Sequence, residues 1–177
     1  MDKDRISALL GTAAVVSAGL LFALSAIPVQ SEPGFAGSVL AVHNRERARL
    51  GLPGLRWNDK LAYQAEQWAR KLASEGELHH ANGQEGSGAG ENLWMGTAGY
   101  YSTEKIIGAF IDERAQFVPG RFPHVSRSGH WEDVGHYTQV IWPDTREVGC
   151  AMAEARGYEV MVCRYWPAGN WIGEAVG

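Results

Sequence analysis

The sequence predicts an α+β fold, a three-layer α-β-α sandwich around a small, mainly antiparallel sheet. Three observations carry that expectation. Residues 147–153 and 159–165 flank a turn signal at Arg156-Gly157 and read as a hairpin that is apolar on both faces. Three amphipathic helical segments precede the hairpin, enough to cover both of those faces. The stretch Gly135-His136-Tyr137-Thr138-Gln139-Val140-Ile141-Trp142 reads as a further buried strand. Alternation puts His136, Thr138, Val140 and Trp142 on one face and Tyr137, Gln139 and Ile141 on the other.

The bulk numbers fit one such domain. Of 177 residues, about 145 follow the N-terminal segment, a length that buries roughly 70% of its unfolded surface. Lys and Arg number 16 against 20 Asp and Glu, for a net charge of −4. No basic field is present, so nucleic-acid binding is set aside. Seven Trp in a chain of this length suggest half-buried indoles, some of them lining a cleft.

Residues 1–31 read as a signal peptide or a membrane anchor rather than as fold. No charge occurs between Arg5 and Glu32, and 6–26 is dominated by Ala, Leu, Val, Gly and Ile. The apolar run approaches the roughly 20 residues that span a bilayer, while Val29-Gln30-Ser31 supplies small residues for cleavage before Glu32. Either way residues 32–177 form an exported domain, extracellular or periplasmic, whose membrane contact is confined to the N-terminal segment. Its two cysteines can oxidise in that compartment.

Each element has its own signal. Residues 35–50 read as a helix stopped by Gly51, with a turn at Pro53 and Gly54. Val39, Val42 and Leu50 form its apolar face, broken by Glu46, and His43-Asn44-x-x-Arg47 groups three hydrogen-bonding side chains as a structural network or a site. Asn58 or Asp59 caps a second helix to about Gly76, with Leu61, Ala65, Trp68 and Leu72 as its buried stripe. His79 and His80 then open a loop containing Gly83, Gly86, Gly88 and Gly90.

Gly90-Glu91-Asn92-Leu93-Trp94 sets an acid between that loop and an apolar pair. Ser102 or Thr103 caps a third helix with Glu104 in its first turn and a stripe of Ile106, Phe110 and Phe117. Glu113 occupies the missing position of that stripe, where a carboxylate requires a cation, a donor or a metal; Arg47 is one candidate partner. Residues 118–134 lack periodicity and read as a long surface loop whose apolar tips include Phe122 and Trp131. In the hairpin, a two-residue loop at Arg156-Gly157 pairs Val148 with Tyr165, Cys150 with Cys163 and Met152 with Met161. The cysteines then occupy a non-hydrogen-bonded pair within disulfide range.

Taken together these stretches resemble the CAP superfamily: cysteine-rich secretory proteins, antigen 5 and pathogenesis-related class 1 proteins. His43-Asn44-x-x-Arg47 and Gly90-Glu91-Asn92-Leu93 resemble two of its motifs. Residues 135–142 with Thr145 resemble one long signature, and Cys163-Arg164-Tyr165-Trp166-Pro167-Ala168-Gly169-Asn170-Trp171 the other. The resemblance runs from about Leu40 to Glu174 and implies the same α-β-α sandwich. It also implies a cleft tetrad of His80, Glu91, Glu113 and His136, able to hold a divalent metal, zinc suiting the imidazoles best. No organic cofactor is implied. The sequence departs from the usual family pattern at Ala81 and Phe110, where Ser and Trp are common. Only the hairpin cysteines are present, and no appended cysteine-rich domain is expected.

Three functions follow as expectations. One is a non-catalytic binding module for a sterol, a fatty acid or another extracellular ligand, including a protein partner, with Phe117, Phe122 and Trp131 as lipid contacts. Another is a metal-dependent hydrolase with Glu91 or Glu113 as base, although the sequence contains neither a His-Glu-x-x-His helix nor a Gly-x-Ser-x-Gly elbow. The last is a purely structural tetrad pinning helices to sheet.

Overall fold

The computed structural model describes residues 34–177; the signal or anchor reading of 1–31 lies outside them. Helix α1 (Phe35–Arg49) runs into the short strand β1 (Arg56–Trp57), and α2 (Asp59–Glu75) follows. Asn58 caps α2 by accepting from the Lys60 and Leu61 amides, and Gly76 ends it at φ 75°. The one-turn helix α3 (Gly83–Gly86) lies in the glycine-rich loop before β2 (Gly90–Thr97). Ser102 caps α4 (Thr103–Asp112), which passes into a 3-10 turn at Glu113–Ala115. After the small strand β3 (Gly120–Arg121) and a second 3-10 turn (Trp131–Val134) come α5 (Gly135–Val140), the hairpin β4 (Glu147–Ala155) and β5 (Tyr158–Trp166), and β6 (Ala175–Val176).

The main sheet has strand order β1-β4-β5-β2, antiparallel except for the β1–β4 pair. Both faces are covered. Ala65, Trp68, Ala69 and Leu72 of α2 pack on Leu93, Val160 and Val162. On the opposite face α1, α4 and α5 bury Val39, Val42, Ile106, Ile107, Phe110, Tyr137 and Val140 against Val148, Cys150, Met161, Cys163 and Tyr165. This is the expected α-β-α sandwich. The hairpin closes in the even register, Cys150 opposite Cys163, and the two form a disulfide. Gly149 on β4 lies so close to α2 that a Cβ there would meet the Ala62 amide nitrogen at 2.2 Å and the Asn58 carbonyl at 2.5 Å.

Three expectations need correcting. Residues 135–142 are not a strand: 135–140 form α5, buried on most sides through Tyr137, Thr138, Gln139 and Val140. Its ends are capped from elsewhere in the chain. The Glu113 carboxylate accepts from the His136 and Tyr137 amides, both at 3.0 Å. Arg47, fully buried, donates to the Val140 and Trp142 carbonyls at 2.9 and 3.0 Å, and further to Pro53 and Thr145. With its guanidinium spent on carbonyls, Arg47 is not the partner of Glu113. The third helix also stops short of the expected stripe, ending at Asp112, so Phe117 lies beyond it and packs edge-on against Tyr137. Glu46, which breaks the α1 stripe, is buried with Arg49, Arg114 and the Tyr137 hydroxyl around it.

Candidate functional site

Two histidine–glutamate pairs meet at one cleft. His80 follows α2 and its Nδ1 lies 2.7 Å from Oε1 of Glu91, the second residue of β2. The same oxygen accepts from the Ala81 amide at 3.1 Å. The other pair joins α5 to the 3-10 turn after α4, with His136 Nδ1 2.5 Å from Glu113 Oε1. A carboxylate can only accept, so Nδ1 carries the proton in each ring and Nε2 is left with its lone pair free to accept a hydrogen bond or to ligate a metal. Phe110 stacks on His136 with ring centroids 4.8 Å apart, which gives that departure from the usual Trp a positional role.

All four residues of the expected tetrad are thus paired, but not as a single cluster. Among the described residues no group of three or more His, Cys, Asp or Glu side chains is arranged to hold a metal ion. His80, Glu91 and His136 line the cleft wall, while Glu113 sits behind His136 and orients it. The cleft has a volume of about 750 Å³. Its lining combines apolar Phe122, Pro123, Trp131 and Ile172 with the polar side chains of His80, Glu91, Asn92, His136 and Asn170.

Among the expected lipid contacts, Trp131 is 39% exposed at the rim. Phe122 reaches the cleft but is a core residue, 4% exposed and wedged between Trp131 and Trp142. It is not a loop tip, because 118–134 folds back onto the body through β3 pairing with β6. Phe117 does not line the cleft.

Arg164 was not singled out from sequence. It is 1% exposed on β5, its Nη1 donates to the Gly86 carbonyl at 3.0 Å, and its Nη2 lies 2.9 Å from Glu91 Oε2. That last contact is an ion pair off the hydrogen-bond line, so Glu91 Oε2 and Arg164 Nε and Nη2 have no aligned partner. Burial lowers the Arg164 pKa, with the Glu91 and Glu85 charges opposing. A signal was available: Val160, Val162 and Arg164 share one face of a buried strand, and a charge there demands a counter-charge. Behind the site, Asn92 donates to the His136 carbonyl at 3.1 Å and to the Tyr165 hydroxyl at 3.2 Å.

Comparison with known proteins agrees with this architecture. The sequence model of the cysteine-rich secretory protein family, CAP, matches residues 40–165. Pathogenesis-related protein 1A of Nicotiana tabacum is 35% identical over 138 residues, 77% of each chain. Pathogenesis-related protein PR-1 of Medicago truncatula is 36% identical over 143 residues, 79% of this chain and 78% of that one. The crystal structure of NaASP2 with Zn2+ superposes with a TM-score of 0.66 at 22% identity, covering 82% of this chain and 85% of the other. BmVAL-1 gives 0.66 at 20% identity, with 82% of each chain covered. A secretory family accords with an extracytoplasmic domain closed by a disulfide. From the matched span and from relatives above 30% identity, the chain belongs to the cysteine-rich secretory protein (CAP) family.

Proposed function

We propose that the chain is an exported, non-catalytic binding module whose cleft takes an amphipathic, lipid-like ligand such as a fatty acid or sterol. The carrying observation is the mixed lining of a cleft of about 750 Å³, apolar at Phe122, Pro123, Trp131 and Ile172 and polar at His80, Glu91 and His136. An aliphatic body lies against the first and a polar head reaches the second. The test is a fluorescence titration with a long-chain fatty acid and, separately, a sterol. Trp131→Ser and Ile172→Ser are expected to weaken binding about tenfold each, the scale of losing one large apolar contact; unchanged affinity in both rejects the reading. Phe122→Ser is unsuitable because it opens the core.

A divalent ion, zinc by donor preference, is a second occupant of the same cleft. Nε2 of His80 and of His136 is the donor set that fits, each ring oriented by a carboxylate through Nδ1. NaASP2, which shares the fold, was crystallised with Zn2+. Two protein ligands make an exchangeable site rather than a closed one, so titration calorimetry with a zinc salt is expected to give one weak site, lost in His80→Ala and in His136→Ala. Persistence of that site in both variants rejects it. Hydrolysis is disfavoured because neither candidate base is free. Glu91 is engaged by His80, Ala81 and Arg164, and Glu113 by His136 and two backbone amides. Residues 1–31 act as the export signal or anchor in this reading, and N-terminal sequencing of exported protein decides between them.

A further inference from the structure

The sheet edge beside the cleft carries a row of unused backbone groups. β2 pairs with β5 on one side and, among the described residues, with no strand on the other. Register decides which of its residues face outward. Cys150 and Cys163 are opposite each other with Cα atoms 4.1 Å apart, the spacing of a non-hydrogen-bonded pair, and the two-residue turn between Ala155 and Tyr158 requires the same parity. Along β5 the backbone groups of Glu159, Met161, Cys163 and Tyr165 therefore turn toward β2 and engage Gly96, Trp94, Asn92 and Gly90. Glu91, Leu93 and Met95 direct their N–H and C=O away from the sheet, and among the described residues these groups find no partner.

Unpaired edges are normally blunted by Lys, Pro or a bulge; along this one the Asn92 and Leu93 side chains are themselves buried, at 1% and 7% exposure, so what the edge offers is backbone. Between Glu91 and Thr97 this edge has no Lys, Pro or bulge: the residues are Asn92, Leu93, Trp94, Met95 and Gly96, in unbroken register with β5. Its flanks are apolar. Trp94 packs on Tyr101, ring centroids 5.1 Å apart, with Tyr100 beyond at 4.8 Å and 75% exposed. At the other end Glu91 enters the cleft.

We infer that β2 is a docking rail for an extended peptide segment of a partner protein. The peptide adds as a further strand, sets alternate apolar side chains beside Trp94 and Tyr101, and runs one end to the mouth of the cleft. The outward groups come from every second residue, about 6.8 Å apart, in donor and acceptor pairs. A lipid, a sugar or an ion matches one such pair; an extended backbone matches all three. This inference does not rest on the lipid reading: the rail shares Glu91 and Asn92 with the cleft, but Leu93 and Met95 lie outside its lining.

The test uses the isotopically labelled protein and a capped heptapeptide of alternating Thr and Val as the probe, read by amide hydrogen exchange. Without peptide, the Leu93 and Met95 amides are expected to exchange about tenfold or more faster than those of Asn92 and Trp94, which bond to β5. Saturating peptide is expected to slow them by about tenfold, and the same peptide N-methylated at alternate residues is expected to have no effect. Met95→Pro removes one outward donor without touching the β5 ladder and is expected to weaken binding about tenfold, whereas Met95→Ala, which also gives up the side chain's packing on the α2-side core but keeps the N–H, is expected to bind like the parent. No protection at millimolar peptide, equal action of the N-methylated peptide, or unchanged affinity in Met95→Pro overturns the inference. Protection that rises with protein concentration alone also overturns it, because the edge is then taken by a second copy of this chain.

Discussion

His43 shows how completely one residue's chemistry is set by its surroundings. Its Nδ1 lies 2.8 Å from the Val39 carbonyl, which can only accept, so the proton is on Nδ1 and Nε2 accepts from the Tyr165 hydroxyl at 2.9 Å. Burial lowers its pKa to about 4; the Val39 hydrogen bond opposes that shift and the nearby Arg47 charge adds to it. Burial likewise pushes the Tyr165 hydroxyl above its usual range, so both stay neutral. The sign follows from linkage: an unfolded His takes a proton near 6.5, the folded one only near 4, so unfolding binds a proton within that window. Stability is whole above pH 6.5 and falls as the pH drops toward 4, by about 3 kcal/mol in all. Urea unfolding at pH 7 and pH 4.5 checks this: His43→Asn is expected to lose markedly less stability than the parent between the two. An equal loss in both means that His43 does not titrate with folding.

At the scale of elements, α5 explains where sequence reading succeeded and where it failed. The helices carrying a stripe against the sheet were legible: Leu61, Ala65, Trp68 and Leu72 repeat with helical period and are all buried. The hairpin was legible because its turn and cysteine spacing fix the register. Residues 135–142 were not, since a short run rich in β-branched and aromatic side chains fits a buried strand as well as a buried helix. What selects the helix is remote. Glu113 bonds its first amides from 23 residues away, and Arg47 bonds its last carbonyls from 93 and 95 residues away. The same limit applied to the site, where His80, Glu91, Glu113 and His136 could be named from motif resemblance but not sorted into pairs. Arg47→Met leaves four carbonyls without this donor and is expected to cost about 3–5 kcal/mol by urea unfolding at neutral pH. A loss under 1 kcal/mol means water replaces the guanidinium. Gly149→Ala probes the other layer, because the added methyl meets α2 backbone rather than a movable side chain. Thermal unfolding is expected to show a loss of about 3 kcal/mol or failure to fold, and a neutral result means α2 can retreat from β4.

For the whole molecule, the sheet is the common wall of two separate cores, and the disulfide ties its two central strands together. Cys150 and Cys163 lie on the face covered by α1, α4 and α5, midway along a ladder of nine residue pairs closed by a two-residue turn. The loop they close is short, with a sequence separation of 13. On the chain-entropy account a loop of that size contributes about 3 kcal/mol, through the unfolded state rather than through native contacts. The native ladder, both cores and the Arg47 and His43 networks remain when the bond is absent. Cys150→Ala with Cys163→Ala is therefore expected to fold, with an unchanged far-ultraviolet spectrum at 25 °C and a thermal midpoint lower by roughly 6–12 °C. Loss of the β-sheet signal at 25 °C would show instead that packing alone cannot hold the sheet between its two helical layers. The cleft ends of β2 and β5 would then depend on oxidation, and ligand binding would require export to an oxidising compartment.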